Sequence, residues 1–385
     1  MANELLVSAT EFPVVTLLGP RQSGKTTLVK NVFPNKPYYS LEDPDTLAAA
    51  EIDPRNFLGQ MSEGAILDEV QRLPILLSYL QGLVDQDQTT GRFVLTGSRQ
   101  QLLHEAINQS LAGRTAMLTL WPLSINELRY SNLIRSPFEL IVSGFFPRLY
   151  VNNIQTRHFY NSYLLTYIER DVRSMINITN ISIFQKFINL LAGRIGQILN
   201  LSSLANDVGV SPITIRNWIS VLKASYVIIE LLPYFENISK RLIKSPKIYF
   251  TDVGLVSFLL GIDDAEKAKT HYLRGNLYEN LIIIDILKCF FNKGLRPELY
   301  FYRDSHGNEV DLLIKHEDSV LPIEIKSAET FTKHFMKGIH NFEKIYHKNI
   351  SKKFIFYNGD NNYNISNINI VNPFSLNNIL EYIIE

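Results

Sequence analysis

The nine residues GPRQSGKTT, at positions 19–27, constrain the fold of this chain more than any other stretch. They fit the pattern G-x-x-x-x-G-K-[ST] and stand between an apolar run, VVTLLG, and a helical pattern, GKTTLVKNVF. Gly19 and Gly24 let the backbone curl so that its N–H groups face an anion, and the helix start adds partial positive charge. The stretch therefore predicts a strand, a phosphate-binding loop and a helix. A chance glycine-rich turn is the alternative.

The loop residues have separate predicted parts in binding a nucleotide. Lys25 would reach the β- and γ-phosphates, and Thr26 would hold Mg²⁺. ATP and Mg²⁺ are accordingly the predicted cofactors. The predicted nucleotide-binding residues are Gly19, Pro20, Arg21, Gln22, Ser23, Gly24, Lys25, Thr26 and Thr27.

Acidic and polar residues at later strand ends predict hydrolysis. AILDE supplies Asp68 for the metal and Glu69 to polarise the attacking water. FVLTGS offers Ser98, with Thr96 as an alternative, as a sensor near the γ-phosphate. Arg114, in LAGRT, is predicted to reach a phosphate in its own chain or in a neighbouring copy. The two acids could instead be a charge pair at a helix N-terminus, and a lone arginine could be a surface ion pair.

The middle of the chain has the pattern of a helix-turn-helix, LSSLANDVGVSPITIRNWISVLKASYVI. Gly209 takes the turn, Ser211 caps the second helix, and Pro212 occupies its first position. The predicted buried stripe of the second helix is Ile215, Trp218, Ile219 and Leu222. Its predicted outward residues are Thr214, Arg216, Asn217, Ser220 and Lys223.

Polar and basic side chains on that outward face suit phosphates and base edges of DNA, and Arg216, Asn217 and Lys223 are the chosen contact candidates. The run SKRLIKSPK predicts a basic wing from Lys240, Arg241, Lys244 and Lys247. The alternative is a winged helix that packs only against protein. The formal net charge is +0, so a nucleic-acid surface must be a local patch.

The stretch LPIEIKS places Glu324 and Lys326 on the same face of a predicted strand. NEVDLLI contributes Asp311 from the preceding strand, and GNLYEN contributes Glu279 from a helix. This acid … D … E-x-K order is that of PD-(D/E)xK nucleases, in which carboxylates hold Mg²⁺ and the lysine orients or deprotonates a water. Glu309 faces the same side and is a lesser candidate. A surface ion pair is the alternative interpretation.

Several longer runs carry a resemblance to a known family: YYSLEDPDTLAAAEIDPRNFL, AILDEVQRLPILLSYLQGLVD, RFVLTGSRQQLL, SLAGRT, LWPLSINEL, GFFPRLY and TYIERDV. Together they resemble prokaryotic AAA-type ATPases joined to the domain of unknown function 4143. The resemblance implies an ATP-binding P-loop module of the additional-strand type at the start of the chain. It also implies a winged-helix module and a C-terminal domain with the PD-(D/E)xK nuclease fold.

The predicted fold class is α/β, with a parallel P-loop sheet followed by a helical and winged-helix module and an α/β nuclease-like domain. The predicted domains are 1–130 (ATPase), 131–200 (helical lid or connector), 201–265 (winged helix-turn-helix) and 266–385 (PD-(D/E)xK nuclease-like). A single cysteine, Cys289, fits a reducing compartment. No signal-peptide pattern or membrane-length apolar run is present, which predicts a cytoplasmic protein without a membrane partner.

The predicted function is ATP binding and hydrolysis that controls a DNA-contacting winged helix and a Mg²⁺-dependent nuclease-like domain, in DNA processing, repair or defence. The alternative is an ATP-dependent switch or regulator in which the nuclease fold is catalytically inactive. ATP is the expected partner, and DNA and further copies of the chain are the others considered.

Overall fold

The computed structural model describes residues 1–98, 107, 109–152, 154–172, 180–234, 245–346, 349–376 and 378–384. The chain divides into two compact units. The first comprises Met1–Pro122, Ala224–Tyr226 and Phe291–Leu295, and the second comprises Leu123–Lys223, Val227–Phe290 and Arg296–Glu385. The four-part division at residues 130, 200 and 265 stays a prediction about domains.

The first unit is built on a five-stranded sheet in the order β2-β3-β4-β1-β5, with each strand parallel to its neighbours. Its strands are β1 (Val14–Leu18), β2 (Tyr38–Ser40), β3 (Ala65–Asp68), β4 (Phe93–Gly97) and β5 (Thr115–Thr119). Because β4 lies between β1 and β3, the sheet has the additional-strand arrangement that the resemblance implied.

Short helices follow the strands of this sheet. The helices are α1 (Ala2–Glu11), α2 (Lys25–Val32), α3 (Pro44–Ile52), α4 (Pro54–Gly59) and α5 (Leu76–Gln86), with a 3₁₀ turn at Val70–Arg72. The runs VVTLL and FVLTG are buried along their whole length, as expected for parallel strands covered on both faces. The predicted strand and helix patterns of this part of the chain are therefore confirmed.

The second unit begins with helices. They are α6 (Ile125–Tyr130), α7 (Pro137–Ser143), α8 (Pro147–Val151), α9 (Thr156–Tyr163), α10 (Ile181–Ala192), α11 (Leu201–Val208), α12 (Pro212–Ala224), α13 (Val253–Leu259), α14 (Ala265–Thr270), α15 (Arg274–Asn292), α16 (Lys337–Ile345) and α17 (Ile379–Ile384). After α9 the chain continues at Leu164–Val172 as a π-helix, whose hydrogen bonds span five residues. A short 3₁₀ helix, Lys333–Met336, precedes α16.

A nine-stranded mixed sheet completes the second unit, in the order β13-β14-β12-β10-β9-β8-β6-β7 with β11 paired to β10. Its strands are β6 (Ile228–Pro233), β7 (Lys247–Phe250), β8 (Glu298–Arg303), β9 (Glu309–His316), β10 (Ser319–Lys326), β11 (Asn349–Ile350), β12 (Phe354–Tyr357), β13 (Tyr363–Ile365) and β14 (Ile368–Val371). The strands predicted to carry Asp311 and Glu324 are present as β9 and β10, which pair antiparallel. Parallel pairing of β6 with β8 makes the strands after the helix-turn-helix part of this sheet.

The two helices predicted for the helix-turn-helix are α11 and α12. Gly209 has a φ of 90°, and the Ser211 hydroxyl accepts a hydrogen bond from the Thr214 N–H at 3.1 Å. The predicted apolar stripe of α12, from Ile215 to Leu222, is buried. In the described part of the chain, no helix combines the length and apolar character that crossing a membrane requires.

Candidate functional site

The phosphate-binding loop lies at the carboxyl end of β1, between that strand and α2. Gly19 has a φ of 149°, and a Cβ there would lie 2.0 Å from the Leu120 carbonyl oxygen, so only glycine fits. Gly24 has a φ of 95° at the start of α2, and Gln22 between them has a φ of 63°. These left-handed residues curl the loop and leave the helix N-terminus directed at its centre.

Polar groups inside the loop have the arrangement expected of an anion site. Lys25 is buried, and its Nζ donates hydrogen bonds to the carbonyl oxygens of Gly19 at 3.1 Å and Pro20 at 2.9 Å. Burial lowers the pKa of Lys25. The Ser23 hydroxyl is also buried and has no hydrogen-bond partner among the described residues. A buried ammonium and an unpaired hydroxyl in a curled loop fit the phosphates of a nucleotide.

Asp68 is the last residue of β3, beside the loop, and its carboxylate accepts hydrogen bonds from three hydroxyl groups. Thr26 donates to its Oδ2 at 3.0 Å, Tyr38 donates to the same oxygen at 2.6 Å, and the Thr96 hydroxyl donates to Oδ1. A carboxylate next to a threonine hydroxyl is the oxygen donor set that Mg²⁺ prefers in proteins. Thr26 and Asp68 therefore fit the predicted Mg²⁺ site, and Tyr38 and Thr96 would orient the Asp68 carboxylate through their hydrogen bonds.

Glu69 follows Asp68 and has a φ of 56°, which turns its side chain out of the strand direction. Its carboxylate accepts hydrogen bonds from the Ser98 hydroxyl at 2.5 Å and from the Gln71 amide. Its backbone N–H donates to the Thr96 hydroxyl at 3.2 Å. The structure thus brings Ser98 to Glu69, and it holds the carboxylate predicted to polarise water in contacts within the chain.

Arg114 does not join these residues, and the expectation that it reaches a phosphate in its own chain is wrong. Thr115, the next residue, pairs with Val14 at the amino end of β1, whereas the loop follows the carboxyl end. Five residues of strand separate the two edges, which is about 16 Å. Arg114 instead forms a surface ion pair with Asp85. A role toward the nucleotide of a second copy stays a prediction.

Arg216 and Asn217 are exposed on α12, as predicted for residues that contact DNA. Lys223 is exposed as well, but its ammonium pairs with the Glu230 carboxylate. Lys247, predicted in a basic wing, is 2% exposed and cannot contact DNA. The remaining wing residues, Lys240, Arg241 and Lys244, lie outside the described residues.

Lys247 instead joins the acidic residues of the C-terminal region. Its Nζ lies 2.9 Å from Glu279 Oε1, on α15, and 2.5 Å from Glu309 Oε1, on β9. Lys326 bridges the next two acids, with its Nζ 2.9 Å from Asp311 Oδ2 and 2.5 Å from Glu324 Oε2. The structure therefore brings the predicted acids and Lys326 into one group, which we call the acidic cluster: Glu279, Glu309, Asp311, Glu324, Lys247 and Lys326.

The acidic cluster is organised around ammonium groups. Among the described residues, no three acidic, histidine or cysteine side chains are arranged to hold a metal ion. The geometry thus does not support Glu279, Asp311 and Glu324 as joint Mg²⁺ ligands in this conformation, since Lys247 and Lys326 supply the neutralising charge. A pocket of about 240 Å³ borders Asp311, Glu324 and Lys326, and His334 and Lys337 also line it.

The charges of the cluster change its proton affinities in opposite directions. Burial raises the pKa of Glu324 well above its ordinary value, and the negative Asp311 nearby raises it further. Burial also acts on Asp311, but Lys326 and Lys247 outweigh it and lower the pKa of that carboxyl. Of the two carboxyl groups, Glu324 therefore holds a proton more readily than Asp311 does.

Sequence reasoning missed four contributors to these sites. Tyr38 and Gln71 contact Asp68 and Glu69, and Tyr249 donates a hydrogen bond to Glu279. Lys247 was assigned to the wrong surface. The Tyr38 contact follows from β2 lying next to β3, a pairing that sequence patterns alone do not give.

Comparison with known proteins places three family models on the chain. One described as an AAA domain matches residues 11–129, and two described as domains of unknown function match residues 134–266 (DUF8612) and 274–376 (DUF4143). A Walker-type ATPase of Pyrococcus abyssi covers 67% of this chain and 94% of its own length, at 15% identity and a TM-score of 0.46.

Uncharacterized proteins of Mycobacterium bovis and Mycobacterium tuberculosis are each 31% identical to this chain over 322 residues. The match covers 83% of this chain and 71% of each relative. An uncharacterized protein of Haemophilus influenzae is 22% identical over 246 residues, which is 60% of this chain and 58% of that protein. With the family matches, this identity settles the relationship: the chain belongs to the family of AAA-type ATPases that carry a C-terminal domain of unknown function 4143.

Proposed function

We propose that this protein is an ATP-driven molecular switch whose nucleotide state controls the helix-turn-helix and the C-terminal domain. One observation carries the proposal: Lys25, Thr26, Asp68 and Glu69 meet at the carboxyl edge of a single parallel sheet. That edge is where open α/β sheets bind ligands. The family relationship supports the ATPase part, and coupling to the other regions is our proposal.

Each residue of the site has a step that follows from its contacts. The loop N–H groups and Lys25 bind the β- and γ-phosphates, which requires Lys25 to leave the carbonyl oxygens of Gly19 and Pro20. Thr26 and Asp68 would hold Mg²⁺, which would neutralise charge on the phosphate oxygens. Glu69 orients the attacking water once its carboxylate turns from Ser98 and Gln71.

The contacts of Lys25 and Glu69 within the chain are the basis of the proposed switch. The ammonium of Lys25 and the carboxylate of Glu69 both contact groups of their own chain. Phosphate binding would remove Lys25 from two carbonyls, and Ser98 would exchange Glu69 for the γ-phosphate. Loss of the γ-phosphate would restore the contacts within the chain, so the two arrangements would report the nucleotide state.

Nucleotide titration by calorimetry tests the binding step. Lys25→Ala should weaken ATP binding at least tenfold, because the lysine provides charge-assisted contacts to two phosphates. Asn31→Ala, at an exposed position of the same helix α2, is the matched control and should bind as the parent does. Equal affinity of the Lys25 variant and the parent would overturn the assignment of the site.

We further propose that α12 contacts DNA through Arg216 and Asn217, since both are exposed on the helix that follows the turn. Lys223 would contribute after release from Glu230. Arg216→Ala with Lys223→Ala should weaken binding to duplex DNA and make its salt dependence shallower, because fewer counterions are released. Lys267→Ala, which removes an exposed lysine of α14, is the control for loss of a surface charge away from α12. Unchanged salt dependence in the double variant would leave α12 as a protein-packing helix.

A metal-dependent nuclease is the second candidate function. The convergence of Asp311, Glu324 and Lys326 beside a pocket favours it, while the ammonium bridges favour the inactive form. Nicking of supercoiled DNA with Mg²⁺ or Mn²⁺, with and without ATP, decides between them. Cleavage that disappears in both Asp311→Ala and Lys326→Ala would establish the nuclease in DNA processing, repair or defence. If the DNA stays intact under every condition while ATP turnover is retained, the nuclease is excluded and the switch remains as the proposed function.

A further inference from the structure

A second pocket in the same unit, of about 250 Å³, lies between α14, the start of α15 and the segment that follows β10. We propose that this pocket, lined by Lys269, Arg274, Ser327 and Thr330, binds a phosphate group. Neither the P-loop nor the acidic cluster contributes to its lining. The inference stands on this pocket alone and does not depend on the proposed switch.

The hydroxyl of Ser327 indicates a polar ligand. Ser327 is 9% exposed and lines the pocket, yet its hydroxyl has no hydrogen-bond partner among the described residues. The hydroxyl is therefore available to a polar group that enters the pocket. A ligand oxygen in the pocket would complete the bonding of this side chain.

Two cations on the pocket wall indicate that the ligand is an anion. Arg274 forms no ion pair with the described residues, and its guanidinium donates only a long hydrogen bond, 3.4 Å, to the Lys269 carbonyl oxygen. Lys269 pairs with Glu266, but both side chains are exposed, at 42% and 79%, so this pair is weak and easily exchanged. One acid, exposed Glu329, also lines the pocket, and Glu266 and Glu139 act electrostatically on Lys269, so Arg274 is the cation of this wall without an acidic partner among the described residues.

The start of α15 adds backbone donors. Arg274 is the first residue of this 19-residue helix. The N–H groups of Arg274 and Leu277 donate to the carbonyl oxygens of His271 and Leu273, which leaves those of Gly275 and Asn276 without a partner among the described residues. A Cβ built on Gly275 would meet no atom within 4 Å, so a ligand can approach that backbone. A guanidinium, an ammonium, two hydroxyls and a helix N-terminus together match the tetrahedral oxygens of phosphate better than a planar carboxylate.

Phosphate titration into the full chain by calorimetry tests the site, in a Lys25→Ala background that weakens competition from the P-loop. The background protein should bind inorganic phosphate with a dissociation constant of about 1 mM or tighter. Arg274→Gln should weaken binding about tenfold, and Ser327→Ala should weaken it several-fold. Lys267→Gln, which changes a neighbouring lysine of α14 that does not line the pocket, should bind as the background does.

Two results would overturn the proposal: no phosphate binding by the background protein, or binding that neither Arg274→Gln nor Ser327→Ala weakens. Using two variants keeps the test decisive if one of them folds poorly. A short DNA duplex without terminal phosphates then distinguishes the source of the phosphate. A smaller salt slope in Arg274→Gln assigns the pocket to the nucleic-acid backbone, whereas an unchanged slope with lost phosphate binding assigns it to a free or terminal phosphate.

Discussion

Lys247 shows how one residue can decide the character of a site. It is 2% exposed and lies between the carboxylates of Glu279 and Glu309. Its pKa stays well above the ordinary value: burial opposes the charge, but the carboxylates, Glu279 first, outweigh burial. The ammonium thus occupies, as a fixed cation, a place among acids that sequence reasoning gave to Mg²⁺.

Removing that cation should be costly. Lys247→Met leaves the buried Glu279 carboxylate without its cation, whereas the partly exposed Glu309 keeps Arg303, and should lower the free energy of unfolding by about 3–5 kcal/mol. Adding Glu279→Gln should recover part of the loss. Urea denaturation measures both, with Lys223→Met, which breaks an exposed pair, expected to change stability by less than about 1 kcal/mol. A Lys247 variant as stable as the parent would show that the cluster does not need the ammonium.

Replacing Gly338 by alanine should destabilise the protein, although alanine usually stabilises a helix relative to glycine. Its Cβ would lie 1.8 Å from Glu324 Oε1 and 2.3 Å from the Glu309 carbonyl oxygen, so α16 passes the cluster only without a side chain there. Gly338→Ala should destabilise the protein by about 1–3 kcal/mol. Gly82→Ala, in open space on α5, should stabilise it by up to about 1 kcal/mol. Thermal unfolding of the two variants measures the contrast, and a stabilising Gly338→Ala would contradict this packing.

At the scale of elements, helix α15 links separate parts of the second unit. Glu279 near its start joins the acidic cluster, and Asp285, two turns later, accepts a hydrogen bond from the Ile125 N–H at 2.7 Å. Burial raises the pKa of Asp285 from 3.8 to about 6. The folded protein therefore holds this proton more tightly than the unfolded chain does.

The stability contribution of Asp285 should consequently be present below about pH 4 and be lost as the pH rises to 6. Asp285→Asn removes this titration. The free energy of unfolding of the parent, minus that of the variant, should fall by about 2 kcal/mol between pH 4 and 7. Urea denaturation at both pH values measures it, and a difference that does not change with pH would contradict the shift.

The sequence predicts those elements whose signals are local. The P-loop, β3 with its two acids, and the capped helix α12 follow from apolar periodicity, glycine placement and the Ser211 cap. Lys247 was misplaced because its burial depends on β7 joining the same sheet as β9, a contact between distant parts of the chain. Arg114 was misplaced because its distance from the phosphate-binding loop depends on how β5 pairs with β1. Only the register of that parallel pair places Arg114 at the edge opposite the loop.

At the scale of the whole molecule, Arg114 could act in hydrolysis only on the nucleotide of a second copy of the chain. It cannot reach the loop of its own chain, so any part in hydrolysis requires another chain. Mixing Arg114→Ala with Lys25→Ala should then restore ATP turnover, because an intact loop would meet an intact arginine. Each variant alone is the control. Full activity of Arg114→Ala by itself would leave Arg114 as the surface partner of Asp85.

ATP turnover by Glu69→Gln tests the central claim most directly. The amide keeps the size of the side chain and a hydrogen bond to Ser98, but it cannot accept a proton from water. Hydrolysis should fall by about 100-fold or more while ATP affinity stays within a few-fold of the parent. Turnover equal to that of the parent would contradict the role of Glu69, and loss of ATP binding in step with turnover would contradict the division between a binding loop and a hydrolytic carboxylate.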